Sequence, residues 1–142
     1  MRYDEGKVTR LVSELRNSQT LLRDLSKMDF SSFSSDPHRI ASAKYNLIVA
    51  IEAIIDICNH LISINGYRVP EDYADTFLVL RENSLMPAEL ADNLIKMARF
   101  RNRLVHLYWE VDMKLLFSIL QDNLIDFDRF CEWLGALKKE VG

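Results

Sequence analysis

Residues that break regular backbone structure are scarce in this chain, which has only four Gly and three Pro among 142 residues. Folds built from many short strands need frequent tight turns, and glycine and proline supply much of the geometry of those turns. The sequence also lacks the alternation of apolar and polar residues that predicts a half-buried strand. These absences favour long helices and make each remaining break informative.

Cysteine is nearly absent too, since only Cys58 and Cys131 occur, far apart and within apolar segments. The sequence contains no C-x-x-C motif and no cluster of cysteine with histidine, which structural zinc sites require. We therefore predict no structural zinc and interpret both residues as small buried hydrophobes.

Signals for secretion or membrane insertion are missing as well. Residues 1–5 carry charge but no apolar core, unlike a signal peptide. The most apolar run, residues 47–57, is interrupted by Glu52 and Asp56 and is too short to span a bilayer. With 49% apolar and 27% charged residues, the composition is that of a globular protein, and we expect it in the cytoplasm.

Apolar residues recur at helical spacing along most of the chain. This pattern predicts an all-α, up-down bundle of four main helices plus one short extra helix, in a single domain of residues 1–142. The serine-rich segment 30–37 is predicted as a break, because serine side chains compete for backbone hydrogen bonds. The main helices are predicted at residues 5–26, 37–64, from 87 into the segment that begins at 101, and 113–139, with the short helix at 71–83.

The second predicted helix, residues 37–64, is apolar over more than one face. Such a helix is either central in a bundle or also faces a partner subunit. Glu52, Asp56 and His60 recur on it every four residues and therefore share one face. Carboxylate and imidazole are accepted metal ligands, so the stripe is either a metal site or a polar face that is solvated or lines another site.

The most unusual segment is residues 93–109, which contain no carboxylate although the protein has a net charge of −3. A local basic segment on an acidic protein suggests an anion site, because local field decides where a polyanion binds. Its cationic and titratable residues are Lys96, Arg99, Arg101, Arg103 and His106.

Arginine and histidine together could act on a phosphodiester without a metal. Histidine titrates near neutral pH and can transfer protons, and arginine presents a planar fork of donors that matches phosphate oxygens. A purely structural interpretation is also open, because basic residues near the end of a helix often only complement its dipole.

Helix geometry does not by itself bring Arg101 and His106 together. On a continuous helix they lie about 140° apart around the axis, whereas Arg101 and Tyr108 lie within about 20° and Asn102 neighbours His106. Two solutions remain open. Either the helix loosens before Asp112 and lets His106 swing round, or two copies of the protein each contribute half of one site.

The segment Arg101-Asn102-Arg103-Leu104-Val105-His106-Leu107-Tyr108 matches the R-x-x-x-x-H-x-Y signature of HepT toxins. Residues 45–57 similarly resemble the second helix of this family, which belongs to the HEPN superfamily of helical ribonucleases. The resemblance implies a HEPN-like fold and a metal-independent endoribonuclease toxin of a type VII HepT/MntA toxin–antitoxin system. It also implies a homodimer, with the motif lining a cleft between subunits, and no cofactor.

Residue by residue, the resemblance implies that Arg101 and His106 are the catalytic pair and that Asn102 supports them. RNA would be cleaved by attack of its own 2′-hydroxyl group, so DNA would not be a substrate. Arg103 and Arg99 are expected to contact the RNA backbone, although a role in surface solubility is equally open for Arg103.

The family also implies a partner, a minimal nucleotidyltransferase antitoxin of the MntA type. This enzyme would attach AMP to Tyr108, and the added phosphate would then neutralise Arg101. The alternative function is a catalytically inactive helical module that only pairs with a nucleotidyltransferase.

Overall fold

The computed structural model describes residues 1–139, and every regular element in that part of the chain is helical. The all-α prediction is therefore confirmed. The elements in order are α1 (Glu5–Ser26), α2 (Phe30–Ser34), α3 (Pro37–Ile64), α4 (Tyr73–Glu82), α5 (Ala88–His106), a short 3₁₀ helix (Tyr108–Glu110), α6 (Met113–Asp122) and α7 (Ile125–Lys139).

Aspartate caps explain where most of these helices begin. In each case the carboxylate accepts a hydrogen bond from a backbone N–H of the first turn, which otherwise lacks a partner inside the helix. The capping residues are Asp4 for α1, Asp29 for α2, Asp36 for α3, Asp72 for α4 and Asp112 for α6. The predicted starts of α1, α3, α4 and α6 agree with the structure to within two residues.

The end of α3 is also where the sequence places it. The helix stops at Ile64, and Gly66 adopts a φ of 73°. This left-handed conformation costs glycine little because it has no Cβ atom.

Two predicted boundaries were wrong. Segment 30–37 is not wholly irregular, because Asp29 caps α2 and the buried Phe33 anchors that short helix in the core. The last predicted helix is divided in two, since α6 ends at the C-cap residue Asn123 and α7 begins at Ile125. Asparagine favours helix ends because its side chain competes for backbone hydrogen bonds.

Helix α3 lies at the centre of the bundle and packs against α1, α2, α4 and α5. The whole of α3 is long and apolar enough to cross a membrane by length and composition. The sequence argument, which considered only the interrupted run of residues 47–57, did not predict this. Thirteen of its 28 residues are buried among the other helices. Its apolarity is therefore accounted for by the core of the bundle.

The prediction that both cysteines are buried holds for Cys58 and was wrong for Cys131. Cys58 is buried on α3, Cys131 is partly buried on α7, and both are free thiols. Burial raises the pKa of the Cys58 thiol, so this group stays protonated and unreactive.

Candidate functional site

Arg101 lies where α5 meets α3 and α4, and its side chain is only 14% exposed. Its Nε and Nη2 atoms donate hydrogen bonds of 3.1 and 2.5 Å to Oε1 of Glu52 on α3. The centre of its guanidinium group lies 4.9 Å from the ring centroid of Tyr73, at the start of α4. An ion pair and an aromatic ring thus fix the arginine in one orientation.

Asn102 is the third partner of this arginine. Its Oδ1 atom accepts a hydrogen bond of 3.1 Å from Nη1 of Arg101. The three guanidinium nitrogens therefore all donate to oxygens on the protein, two to Glu52 and one to Asn102.

His106 is the last residue of α5, and it is exposed. The helix is continuous from Ala88 to His106, so Arg101 and His106 lie about 140° apart around its axis. The structure shows no helix distortion between them, and within one chain they do not converge. The loosening of the helix that the sequence left open therefore does not occur ahead of His106.

The helix does end before Asp112, but the break falls after His106. Leu107 leaves the helical conformation with φ −127° and ψ 40°, and Tyr108 begins the 3₁₀ helix. Tyr108 therefore does not continue the line of Arg101, because the continuous helix on which that alignment depends ends at His106. Its ring instead packs edge-on against Trp109, with 5.1 Å between the centroids.

Lys44 of α3 fixes this turn, although it was not among the predicted site residues. The residue is only 3% exposed, and its Nζ atom donates a hydrogen bond of 2.6 Å to the backbone carbonyl of Tyr108. The same atom lies 4.4 Å from the ring centroid of Tyr108 and 5.9 Å from that of Trp109. Burial lowers the pKa of Lys44. The available signal was a single lysine within the first half of the most apolar helix.

We predict that Lys44→Met loosens the 3₁₀ helix without unfolding the bundle. Methionine fills similar space but cannot donate to the Tyr108 carbonyl, and hydrogen bonds from charged groups contribute about 1.5–3 kcal/mol. The Glu110 amide, which donates to the Leu107 carbonyl at 2.9 Å, should exchange with deuterium roughly 10–100-fold faster. Lys114→Met, at an exposed lysine of α6, is the matched control, and equal exchange in both variants would contradict the prediction.

The stripe of Glu52, Asp56 and His60 does not act as one site. Glu52 holds Arg101, whereas Nε2 of His60 accepts a hydrogen bond of 2.8 Å from the backbone N–H of Asp4. Asp56 is exposed. Its pKa is raised, first by partial desolvation and second by the negative charge of the nearby Glu52 carboxylate. Within residues 1–139, no group of three or more His, Cys, Asp or Glu side chains could hold a metal. The metal-site interpretation of this stripe therefore has no structural support, and Glu52 lines the arginine site.

Apolar side chains are exposed on both sides of His106. Trp109 is 89% exposed, and Val105, Leu107 and Tyr45 are also exposed. Val105, Leu107 and Trp109 lie within three residues of His106 along the chain, and Tyr45 follows Lys44, whose amino group contacts Tyr108. Exposed apolar groups that cluster in this way are typical of a surface that another molecule covers.

A helical bundle that carries Arg101 and His106 on α5 and Tyr108 in the 3₁₀ helix that follows resembles the HepT-like class of ribonucleases. The family model described as "Ribonuclease HepT-like" matches residues 15–134. The chain therefore belongs to the HepT-like ribonuclease family. The mRNA nuclease HepT of Shewanella oneidensis is 35% identical over 108 residues, which cover 76% of this chain and 81% of that protein.

Solved structures agree with this assignment. The tri-AMPylated HEPN toxin of Shewanella oneidensis, solved in complex with its MNT antitoxin, matches with a TM-score of 0.86 and 28% identity. The match covers 94% of this chain and 99% of that one. The cytosolic protein YutE of Bacillus subtilis, whose function is unknown, shares the fold with a TM-score of 0.83 and 21% identity, covering 99% of this chain and 94% of YutE.

Proposed function

We propose that this chain is a metal-independent endoribonuclease toxin of a type VII HepT/MntA toxin–antitoxin system, acting in the cytoplasm. The observation that carries the proposal is the end of α5, where an oriented Arg101 and a solvent-accessible His106 occur in a HepT-like chain. The mRNA nuclease activity named for the Shewanella relative supports RNA as the substrate class.

The proposed reaction is an internal transfer within RNA. The 2′-hydroxyl oxygen forms a bond to the adjacent phosphorus, and the bond from phosphorus to the 5′-oxygen of the next nucleotide breaks. His106 removes the 2′-hydroxyl proton or protonates the departing oxygen. Arg101 stabilises the charge that accumulates on the phosphate oxygens, which is commonly the largest electrostatic contribution to such steps. The products are a 2′,3′-cyclic phosphate and a 5′-hydroxyl end.

The ion pair with Glu52 gives Arg101 a defined position before RNA binds. A guanidinium group held by a carboxylate and by Tyr73 loses little side-chain entropy when a phosphate arrives. An arriving RNA phosphate must then share the guanidinium N–H groups with Glu52 and Asn102, or displace those two acceptors. Asn102 thus has a positioning role in this proposal.

We further propose that the working site is shared across a homodimer. Arg101 and His106 lie on different sides of a regular α5, so a two-fold axis is needed to bring an arginine of one copy near a histidine of the other. The exposed apolar residues around His106, above all Trp109, supply a surface that such a dimer would cover.

Tyr108 is the proposed site of neutralisation by AMP transfer from ATP. Its hydroxyl oxygen forms a bond to the α-phosphorus, and pyrophosphate leaves. The AMPylated Shewanella toxin in complex with its MNT antitoxin supports this step and the partner. The side-chain contacts of residues 1–139 place Lys44, not Arg101, against the Tyr108 ring. We therefore propose that the added phosphate lies beside the ammonium group of Lys44 and blocks the cleft between the two subunits.

Purified protein should cleave single-stranded RNA at the same rate with and without excess chelator, and it should leave DNA of the same sequence intact. The reason is that the proposed chemistry uses only protein groups and the 2′-hydroxyl. Gel analysis of end-labelled RNA, with identification of a cyclic phosphate end, measures both points.

An Arg101→Ala protein purified in parallel supplies the background that a contaminating nuclease would give. Equal cleavage by both preparations would overturn the proposal, and loss of activity with chelator would favour a metal-dependent enzyme. A complex with an MntA-type nucleotidyltransferase but no RNA cleavage would favour the inactive binding module.

A further inference from the structure

A cavity of about 350 Å³ lies beside α5, away from the contacts of Arg101 and Tyr108. Met97 and Phe100 of α5 form one apolar wall, and Leu115 and Ile119 of α6 form the other. Its volume falls within the range of roughly 300–1,000 Å³ that is typical of small-molecule sites. An apolar cleft of this size can receive a flat organic group such as a nucleobase.

Three exposed cations of α5 line the same cavity. They are Lys96, Arg99 and Arg103, and together they form what we call the basic face. Along residues 1–139, none of the three has a carboxylate within 4.0 Å. By contrast, most of the other arginines in residues 1–139 form a salt bridge with an Asp or Glu side chain. Unpaired cations at the mouth of a low-dielectric cleft attract an anion.

Asp126 is the one carboxylate that lines the cavity, and it does not cancel the positive potential of the three cations. The residue is 4% exposed, lies 3.8 Å from a guanidinium nitrogen of Arg129, and accepts a hydrogen bond of 3.3 Å from the Asn93 side chain. It is therefore already paired and largely withdrawn from solvent.

The basic face continues directly to His106. At about 100° per residue, Lys96, Arg99, Arg103 and His106 fall within an arc of roughly 80° on α5, and at about 1.5 Å per residue they span roughly 15 Å. Arg101 lies outside this arc. A strand that follows the three cations along α5 therefore arrives at His106.

We propose that this cavity binds a nucleotide of the single-stranded RNA substrate next to the cleaved bond. The base lies against the apolar walls, and the adjoining phosphates lie on Arg99 and Arg103. This inference rests on the proposed ribonuclease function and deepens it, since it gives the enzyme a substrate subsite outside the arginine–histidine–tyrosine segment. Proteins that bind single strands commonly combine a positive track with platforms for the bases.

The test uses a fluorescent RNA oligonucleotide whose 2′-hydroxyls are methylated, so that it binds without being cleaved. Anisotropy titrations over a range of salt concentrations give the affinity and its salt slope. Removing two phosphate contacts in the double variant Arg99→Gln/Arg103→Gln should reduce the magnitude of that slope by about 1.4, because each contact on a single strand contributes about 0.7. Lys7→Gln/Arg10→Gln on α1 makes the same charge change elsewhere and should leave the slope as in the wild type.

A second variant separates the base from the phosphates. Leu115→Trp fills the cavity and should weaken binding roughly 5–150-fold, the loss expected when one base can no longer stack. Its salt slope should stay that of the wild type, because no cation is removed. Circular dichroism confirms that each variant remains helical.

The outcomes distinguish this inference from the proposed function. If the wild type cleaves RNA but the Arg99/Arg103 variant keeps its salt slope, the subsite is wrong and the ribonuclease proposal stands. If that variant keeps its affinity for RNA but no longer binds a nucleotidyltransferase, the basic face is a binding surface for that enzyme. The proposed nucleotide subsite is then also wrong. If the wild type neither binds nor cleaves RNA, both proposals fail.

Discussion

Replacing His106 with alanine should lower the rate of RNA cleavage by roughly 10²–10⁴-fold, the range that a positioned proton-transfer group contributes. In our proposal His106 is the group that moves a proton at the ribose or at the departing oxygen. Its exposed position at the end of α5 means that truncation creates no cavity in the core. The loss should therefore appear in the cleavage rate at saturating RNA and leave the thermal unfolding temperature unchanged.

His38→Ala provides the matched control for this substitution. His38 is an exposed histidine in the first turn of α3, so the change removes the same group from a helix end outside the proposed site. Single-turnover cleavage of end-labelled RNA compares the two variants with the wild type. Similar rates for all three proteins would remove His106 from the mechanism.

The second large effect concerns Tyr108. Incubation with an MntA-type nucleotidyltransferase and ATP should add AMP-sized mass increments to the wild type and none to Tyr108→Phe. The substitution removes only the acceptor oxygen and keeps the ring beneath Lys44, so folding and RNA cleavage should be retained. Cleavage by the variant should consequently resist the nucleotidyltransferase, whereas the wild type should lose activity. Intact-mass spectrometry and the RNA assay measure these two outcomes.

Tyr45→Phe tests whether the modification is specific. Tyr45 is 64% exposed, more accessible than the half-buried Tyr108, and follows Lys44 on α3. A transferase that modified any accessible tyrosine would therefore act on Tyr45. If AMP is still added to Tyr108→Phe but not to Tyr45→Phe, the assignment of the modified residue is wrong.

Local sequence signals predicted most of the fold. The aspartate caps and Gly66 mark the ends of helices directly, because they satisfy or release backbone groups within one turn. The division between α6 and α7 was missed, since an Asp-Asn pair marks a helix end less distinctly than glycine or proline does. The treatment of residues 1–142 as a single domain stays a prediction.

The site was only partly predictable, because its key contacts join residues that are distant in sequence. Glu52 stood out in the sequence as part of a possible metal stripe, yet the packing of α3 against α5 places it on Arg101. Lys44 was missed for the same reason. The rotation and offset of two packed helices depend on how their side chains interlock, and periodicity within either helix does not specify them. The motif resemblance named Arg101, Asn102, His106 and Tyr108, but it could not show which partners hold them.

The contact between Glu52 and Arg101 spans 49 residues of sequence, and the contact between Lys44 and Tyr108 spans 64. The helix that supplies both partners is also the centre of the hydrophobic core. A chain still emerging from the ribosome cannot hold this arrangement until α5 is complete and docked on α3. The RNA cleavage that we propose therefore depends on contacts that form only after α5 has docked on α3, so the nascent chain carries no assembled arginine site.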